Sequence, residues 1–214
     1  MSAPATVSPP TQPASAERAA SARPDALRAE SQAASAFQWT RARYDRAVDA
    51  GVFDDVARVE LLDGLLVARM SQNRPHRVST ILLAQLLRDV FGADAHVQEE
   101  KPVALSDVSE PEPDIAVVLG SPRDYDPHPG PDALLLVVEV SDTTLADDRT
   151  RKAALYAAAG VAEYWIVNLR DACLEVHRDP RGDAYAARTV HGPGESVVPL
   201  ARPDASISVS DLLP

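Results

Sequence analysis

The sequence predicts an α/β (α+β) domain with one central mixed β-sheet flanked by helices. Three observations predict it. Apolar runs of strand length recur at 115–119, 134–140 and 163–169, too short and too continuous for surface helices. Segments with helical spacing stand before and between them, at 75–91 and 147–159. A hairpin signal, Asp63-Gly64 between two apolar stretches, opens the series. Strands and helices mixed in this order fit one sheet covered by helices.

The elements follow in chain order. Residues 1–35 are Ala, Ser, Pro and charge, with almost nothing to fill a core, and are expected to be disordered; 36–214 form the single domain. Residues 39–53 read as a short helix, with Thr40 as N-cap and Gly51 as stop. RVELLDGLLVARM, 58–70, is the hairpin. In 75–91, Val78, Ile81, Leu82, Leu86 and Val90 recur at helical spacing, and Gly92 ends the helix. Strands are expected near 95–98 and 101–105, then at 115–119 and 134–140. Helix 147–159 ends at Gly160. Strands at 163–169, 172–178 and 184–190 follow, then an HGPGE turn, a short strand and a Leu pair.

Composition narrows the function. The N-terminal residues lack the charged and apolar regions of a signal peptide, and no apolar run is long enough to span a membrane. The one cysteine, Cys173, excludes an internal disulfide framework. A soluble, cytoplasmic protein is the expectation. The formal net charge is −11, so nucleic acid would not be bound through the overall field. It would need a local basic surface or a cation bridging acidic groups to phosphate. Basic residues are almost all Arg, and the only lysines are Lys101 and Lys152. Because Lys is a compact, pKa-shiftable point charge and Arg is not, each lysine is a candidate for a chemical role.

Glu139 poses the sharpest question, since it stands in LLLVVEVSD, a run that reads as a strand buried on both faces. An ionised carboxylate there costs several kcal/mol, in order of magnitude, unless paired or metal-bound. The bland alternative is a strand-end carboxylate reaching water. In PEPDIAVV, Asp114 directly precedes another apolar strand, stiffened by Pro111 and Pro113. If the two strands are neighbours, Asp114 and Glu139 converge at one sheet edge, and paired carboxylates suit a hard cation such as Mg²⁺ with substrate phosphate. Alternatively, Asp114 is only a turn-forming residue. On helix 147–159, Asp148, Lys152, Leu155 and Ala159 share a face that the apolar pair directs inward, carrying Lys152 with it. The alternative is an Asp148–Lys152 surface pair, worth roughly 0.3–0.5 kcal/mol. Glu60, in VELLDG, is either a further acidic group at the site or an exposed strand residue.

VELLDGLLV, EPEPDIAVV, LLLVVEVS and DDRTRKAALYAAAGVAEYWIVN together resemble the Uma-two family of restriction-endonuclease-like proteins, across about residues 37–213. The resemblance implies the PD-(D/E)XK nuclease fold, a restriction-endonuclease-like central sheet. It implies Asp114 and Glu139 as metal ligands, Glu60 as an auxiliary acid, and Asp114, Glu139 and Lys152 as the catalytic set. The sequence departs from E-x-K at Ser141, where the lysine would stand. The family likeness suggests that the lysine has moved to Lys152, the residue the helical-face argument also reaches. The implied reaction is Mg²⁺-assisted phosphodiester hydrolysis, with Mn²⁺ as substitute, on nucleic acid and DNA foremost. Arg149, Arg151 and Arg-bearing loops are candidates for the backbone-tracking surface.

Two readings compete with the nuclease: a non-catalytic interaction module that keeps the fold, and hydrolysis of a small phosphoester. Other residues read blandly. His76, at a helix start, reads as an exposed first-turn histidine, the alternative being a role near the site, and the five histidines show no metal spacing. Cys173 is a small buried residue without basic neighbours. Ser141 has no nucleophile elbow around it. Tyr164 and Trp165 are core or a homodimer interface.

Overall fold

The computed structural model describes residue 1 and residues 37–55, 58–69 and 71–214. Apart from residue 1, the stretch expected to be disordered lies outside the described residues. Everything below belongs to the unit Gln38–Pro214.

Helix α1, Arg41–Asp49, is shorter than expected: Thr40 is its N-cap but makes no side-chain cap bond, and the chain then turns through Gly51 at φ +68°. The expected hairpin forms from β1, Val59–Leu62, and β2, Leu65–Ala68. Asp63 (φ +49°) and Gly64 (φ +74°) are both left-handed, as a type I′ turn requires. A Cβ on Gly64 would meet Gln38 Cβ at 3.0 Å. Gly64→Ala is therefore expected to lose about 1–2 kcal/mol, read as a lower urea midpoint at unchanged slope.

Helix α2, Arg74–Phe91, starts one residue early, capped by the Asn73 side chain, which accepts from the His76 N–H. Its buried face differs from the one expected. Leu83, Leu87 and Phe91 are fully covered, whereas Ile81 is 52% exposed and Leu82 38%. Several overlapping apolar spacings run along this helix, and the spacing alone does not choose the one that meets the sheet.

Six strands make the central sheet in the order β3-β4-β5-β6-β7-β8. They are β3 Ala95–Glu99, β4 Ile115–Leu119, β5 Leu134–Ser141, β6 Glu163–Asn168, β7 Cys173–Arg181 and β8 Ala184–His191. Only β5 and β6 run parallel. A helical crossover joins them, as parallel neighbours require. It consists of α3, Leu145–Asp147, a π-helical turn, Asp148–Lys152, and α4, Ala153–Ala158. The short β9 (Ser196–Val197) and β10 (Ile207–Ser208) pair separately, before a final 3₁₀ turn, Val209–Leu212.

The strand expected at 101–105 is not one. Val103 N–H donates to Pro111 O and Ala104 N–H to Pro129 O, but no ladder forms. Pro102 lacks a donor, and the facing residues Pro111 and Pro129 cannot donate back.

The sheet buries both faces. On one, α2 and the final 3₁₀ turn pack Leu83, Leu87, Phe91 and Leu212 onto Ile115, Leu136, Val138 and Trp165. On the other, the crossover packs Leu145, Ala153 and Tyr156 onto Ala116, Val137, Tyr164 and Ile166. Tyr164 and Trp165, each with no exposed surface, are core and not a homodimer interface. Among the described residues, no helix is long and apolar enough to cross a membrane.

Candidate active site

The site lies where β4 begins and β5 ends. These strands are antiparallel neighbours, with Ile115 opposite Val138. Asp114 and Glu139 stand one step beyond that pair, and opposite residues of an antiparallel ladder point to the same face. Asp114 Oδ2 accepts from the Val140 backbone N–H at 2.8 Å, fastening one strand's start to the other's end. The juxtaposition of Asp114 and Glu139 expected from sequence is present.

Lys152 completes the group from the crossover helix. Its Nζ donates to Glu139 Oε1 at 2.9 Å and lies 3.5 Å from Glu60 Oε1. Glu60 is buried on β1, and its Oε2 accepts from the Glu112 N–H at 3.0 Å. It is no exposed strand residue. Asp148 and Lys152 both face inward, but they form no surface pair. The wider π-helical turn keeps both on the sheet side. Asp148 Oδ2 accepts from Ser141 Oγ at 2.6 Å and Thr144 Oγ1 at 2.7 Å. Ser141, at the position where E-x-K has lysine, thus anchors the turn that delivers Lys152. The inward face continues to Tyr156, whereas Leu155 and Ala159, expected to define it, are only half-buried.

Four further residues reach the group, and of these only His76 is a candidate from the sequence. Tyr156 donates its hydroxyl to Glu139 Oε1 at 2.8 Å. His76 Nε2 lies 3.1 Å from Asp114 Oδ2, so the histidine expected to be an exposed first-turn residue is a site neighbour, half-buried at the start of α2. Arg69, just beyond β2, donates to Asp114 Oδ1 at 3.2 Å and to Glu112 Oε2 at 3.1 Å. Gln72 Nε2 approaches the same Asp114 oxygen at 3.5 Å. These contacts span 17 to 45 residues, and no local spacing signals them.

Of the other candidates, Arg151 lines the pocket that these groups form, whereas Lys101, Cys173 and Arg149 do not. Lys101 is exposed. Cys173 is half-buried, and Arg149 stands near it, a basic neighbour the sequence did not reveal; burial, then Glu175 and Asp171, push its thiol up. Arg149 is bound to the buried Glu175, and Arg151 to Asp147 at 2.8 Å.

The electrostatics follow from crowding. Glu60, Asp114, Glu139 and Asp148 are each at most 3% exposed. Burial, reinforced by Asp114, Asp148 and Glu60 and opposed by Lys152, pushes Glu139 up to about 8. Burial also raises Asp148, against Lys152 and the two hydroxyls. Burial would raise Asp114 too, but the His76 bond, Lys152 and the Val140 N–H outweigh it and hold Asp114 below the ordinary aspartate value. For Lys152 burial acts downward, and the four carboxylates overcome it, so the ammonium stays charged. Four carboxylates thus face two permanent cations, Lys152 and Arg69.

These groups line a pocket of about 400 Å³ with polar walls from Asn73, Asp142 and Thr144. Among the described residues, no three His, Cys, Asp or Glu side chains converge as a metal cage. The donor set suits a different arrangement. Hard cations such as Mg²⁺ take one or two carboxylates and complete their shell with water and substrate phosphate. Asp114 and Glu139, two carboxyl groups side by side at one end of the sheet, fit that open half-site.

The family model "Uma2: Putative restriction endonuclease" matches residues 43–210. A crystal structure described as a putative nuclease belonging to DUF820, from Anabaena variabilis, aligns with a TM-score of 0.57 at 16% identity. The alignment covers 75% of this chain and 94% of that one, and the likeness is one of fold. No curated protein matches.

Proposed function

The chain belongs to the Uma2 family, and on that premise we propose that it is a divalent-cation-dependent nuclease that hydrolyses phosphodiester bonds of nucleic acid, with DNA the foremost substrate. One observation carries the reading: the ammonium of Lys152, supplied by the crossover helix, rests 2.9 Å from Glu139, beside Asp114 across β4 and β5. Acid, acid and lysine thus meet although the in-strand position holds Ser141. The restriction-endonuclease description of the family points to DNA.

Asp114 and Glu139 would hold Mg²⁺ or Mn²⁺, with Glu60 as an auxiliary acid beside Lys152. When bound, the ion supplies Lewis acidity toward phosphate and lowers the pKa of a bound water. Lys152 places a fixed positive charge beside the scissile phosphate and stabilises the charge that develops on it. The Asp148 anchor and the Tyr156 hydroxyl hold Lys152 and Glu139 at their separation, so little reorganisation is needed as the reaction proceeds.

A second reading, a non-catalytic interaction module, is favoured by one observation. Three of the four oxygens of Asp114 and Glu139 already have protein donors: Asp114 Oδ2 from Val140 N–H beside His76, Asp114 Oδ1 from Arg69, and Glu139 Oε1 from Lys152 and Tyr156. Incubating plasmid, single-stranded DNA and RNA with Mn²⁺ separates the two. The nuclease reading expects cleavage of at least one substrate by wild type and none by an Asp114→Ala/Glu139→Ala variant. Equal products from both proteins, or none from either, would leave the module reading in possession.

A further inference from the structure

The two oxygens of Asp114 are held very differently, and the difference singles out Arg69. Oδ2 accepts from the Val140 backbone at 2.8 Å and lies 3.1 Å from His76 Nε2, so the sheet and the start of α2 both fix it. Oδ1 has only long contacts, 3.2 Å to Arg69 Nη2 and 3.5 Å to Gln72 Nε2. Any cation taking Asp114 as a ligand would use Oδ1, and it would meet the Arg69 guanidinium on the same oxygen. Two positive groups in contact with one atom repel strongly, even against an effective protein dielectric.

Arg69 has somewhere to go. Its Nη1 bonds Glu112 Oε2 at 3.1 Å, a tether that does not depend on Asp114. Glu112 is also paired with Arg58, so it does not need the whole charge of Arg69. The Arg69 side chain is 11% exposed and lines the same pocket as Lys152. A guanidinium is a planar fork of donors matched to phosphate oxygens.

We infer that Arg69 is an exchangeable arm: it competes with a divalent cation for Asp114 Oδ1, and once displaced it binds a phosphate oxygen of the substrate. The inference rests on the nuclease reading. It adds a substrate-binding residue and couples cation binding to substrate binding, because the ion liberates the cation that then holds phosphate.

Calorimetric Mn²⁺ titration without substrate, on wild type, Arg69→Gln, Arg69→Lys and Asp114→Ala, tests it. Arg69→Gln removes the competitor and is expected to bind Mn²⁺ about tenfold tighter than wild type. Its KM for a DNA oligonucleotide is expected to rise about tenfold, with kcat changed far less. Arg69→Lys keeps the charge and loses the fork, so its Mn²⁺ affinity stays near wild type while KM rises. Mn²⁺ binding by Arg69→Gln that is unchanged or weaker overturns the inference. A wild-type KM in Arg69→Lys also overturns it, and this test stands if Arg69→Gln fails to fold. Asp114→Ala titrating like wild type would instead remove the nuclease reading beneath it.

Discussion

Lys152→Met is expected to lower phosphodiester hydrolysis by about 10²–10³-fold, the range seen when one preorganised charge-stabilising donor is removed. Methionine preserves length and apolar contacts, so the loss reports the ammonium. The same substitution is expected to cost about 3–5 kcal/mol of stability above about pH 8, where Glu139 is ionised, because it leaves Glu139 and Glu60 buried without their cation. That penalty shrinks as the pH falls, since Glu139, already pushed up to about 8, takes a proton instead of remaining an unpaired charge. Urea unfolding at pH 6 and pH 8 reads the stability part, and the rate on the preferred substrate reads the catalytic part. A fully active Lys152→Met protein would remove the lysine from the mechanism.

The second large effect is a stability that falls as pH rises through neutrality. Glu139 binds its proton more tightly folded than unfolded, with a pKa of about 8 against an ordinary 4.5. The native state therefore holds more protons than the unfolded chain between those values. The stabilisation is fully present below about pH 4.5 and is lost as pH rises through 8. The slope from this one group reaches about 1.4 kcal/mol per pH unit. Asp148, also raised, acts in the same direction. Asp114 is lowered, so its contribution is present above its ordinary value and is lost only in acid, outside this window. Glu139→Gln keeps a hydrogen-bonding side chain for Lys152 and Tyr156 and is expected to flatten the profile. Mg²⁺ is expected to flatten it in wild type as well, by favouring the ionised carboxylate. Urea midpoints from pH 5 to 9 read both, and a wild-type profile parallel to that of Glu139→Gln would contradict the assignment.

Much of this was legible in the sequence because the cost of burying charge is a local statement. A glutamate inside LLLVVEVSD needs a partner, and an aspartate at the start of the preceding apolar strand is the nearest candidate. The inward direction of Lys152 was legible too, although the residues used to argue it were not the ones that face the sheet. A π-helical turn shifts the face, and nothing in DDRTRK announces one. The role of Ser141 became readable only with Asp148 beside it. Arg69, Gln72 and His76 come from a hairpin end and a helix start that reach Asp114 only after the chain has folded, and a contact spanning 45 residues leaves no trace in spacing. The exposure of Ile81 and Leu82 has a related reason: helical periodicity identifies apolar stripes but does not choose among overlapping ones.

The nuclease reading requires a divalent cation between Asp114 and Glu139 with Lys152 at its side. Anomalous diffraction from crystals soaked in Mn²⁺ tests it most directly. One strong peak is expected in contact with carboxylate oxygens of both residues, with Arg69 turned away from Asp114 toward Glu112 or solvent. A map with no peak there, and with Asp114 and Glu139 still paired to Arg69 and Lys152, would contradict it.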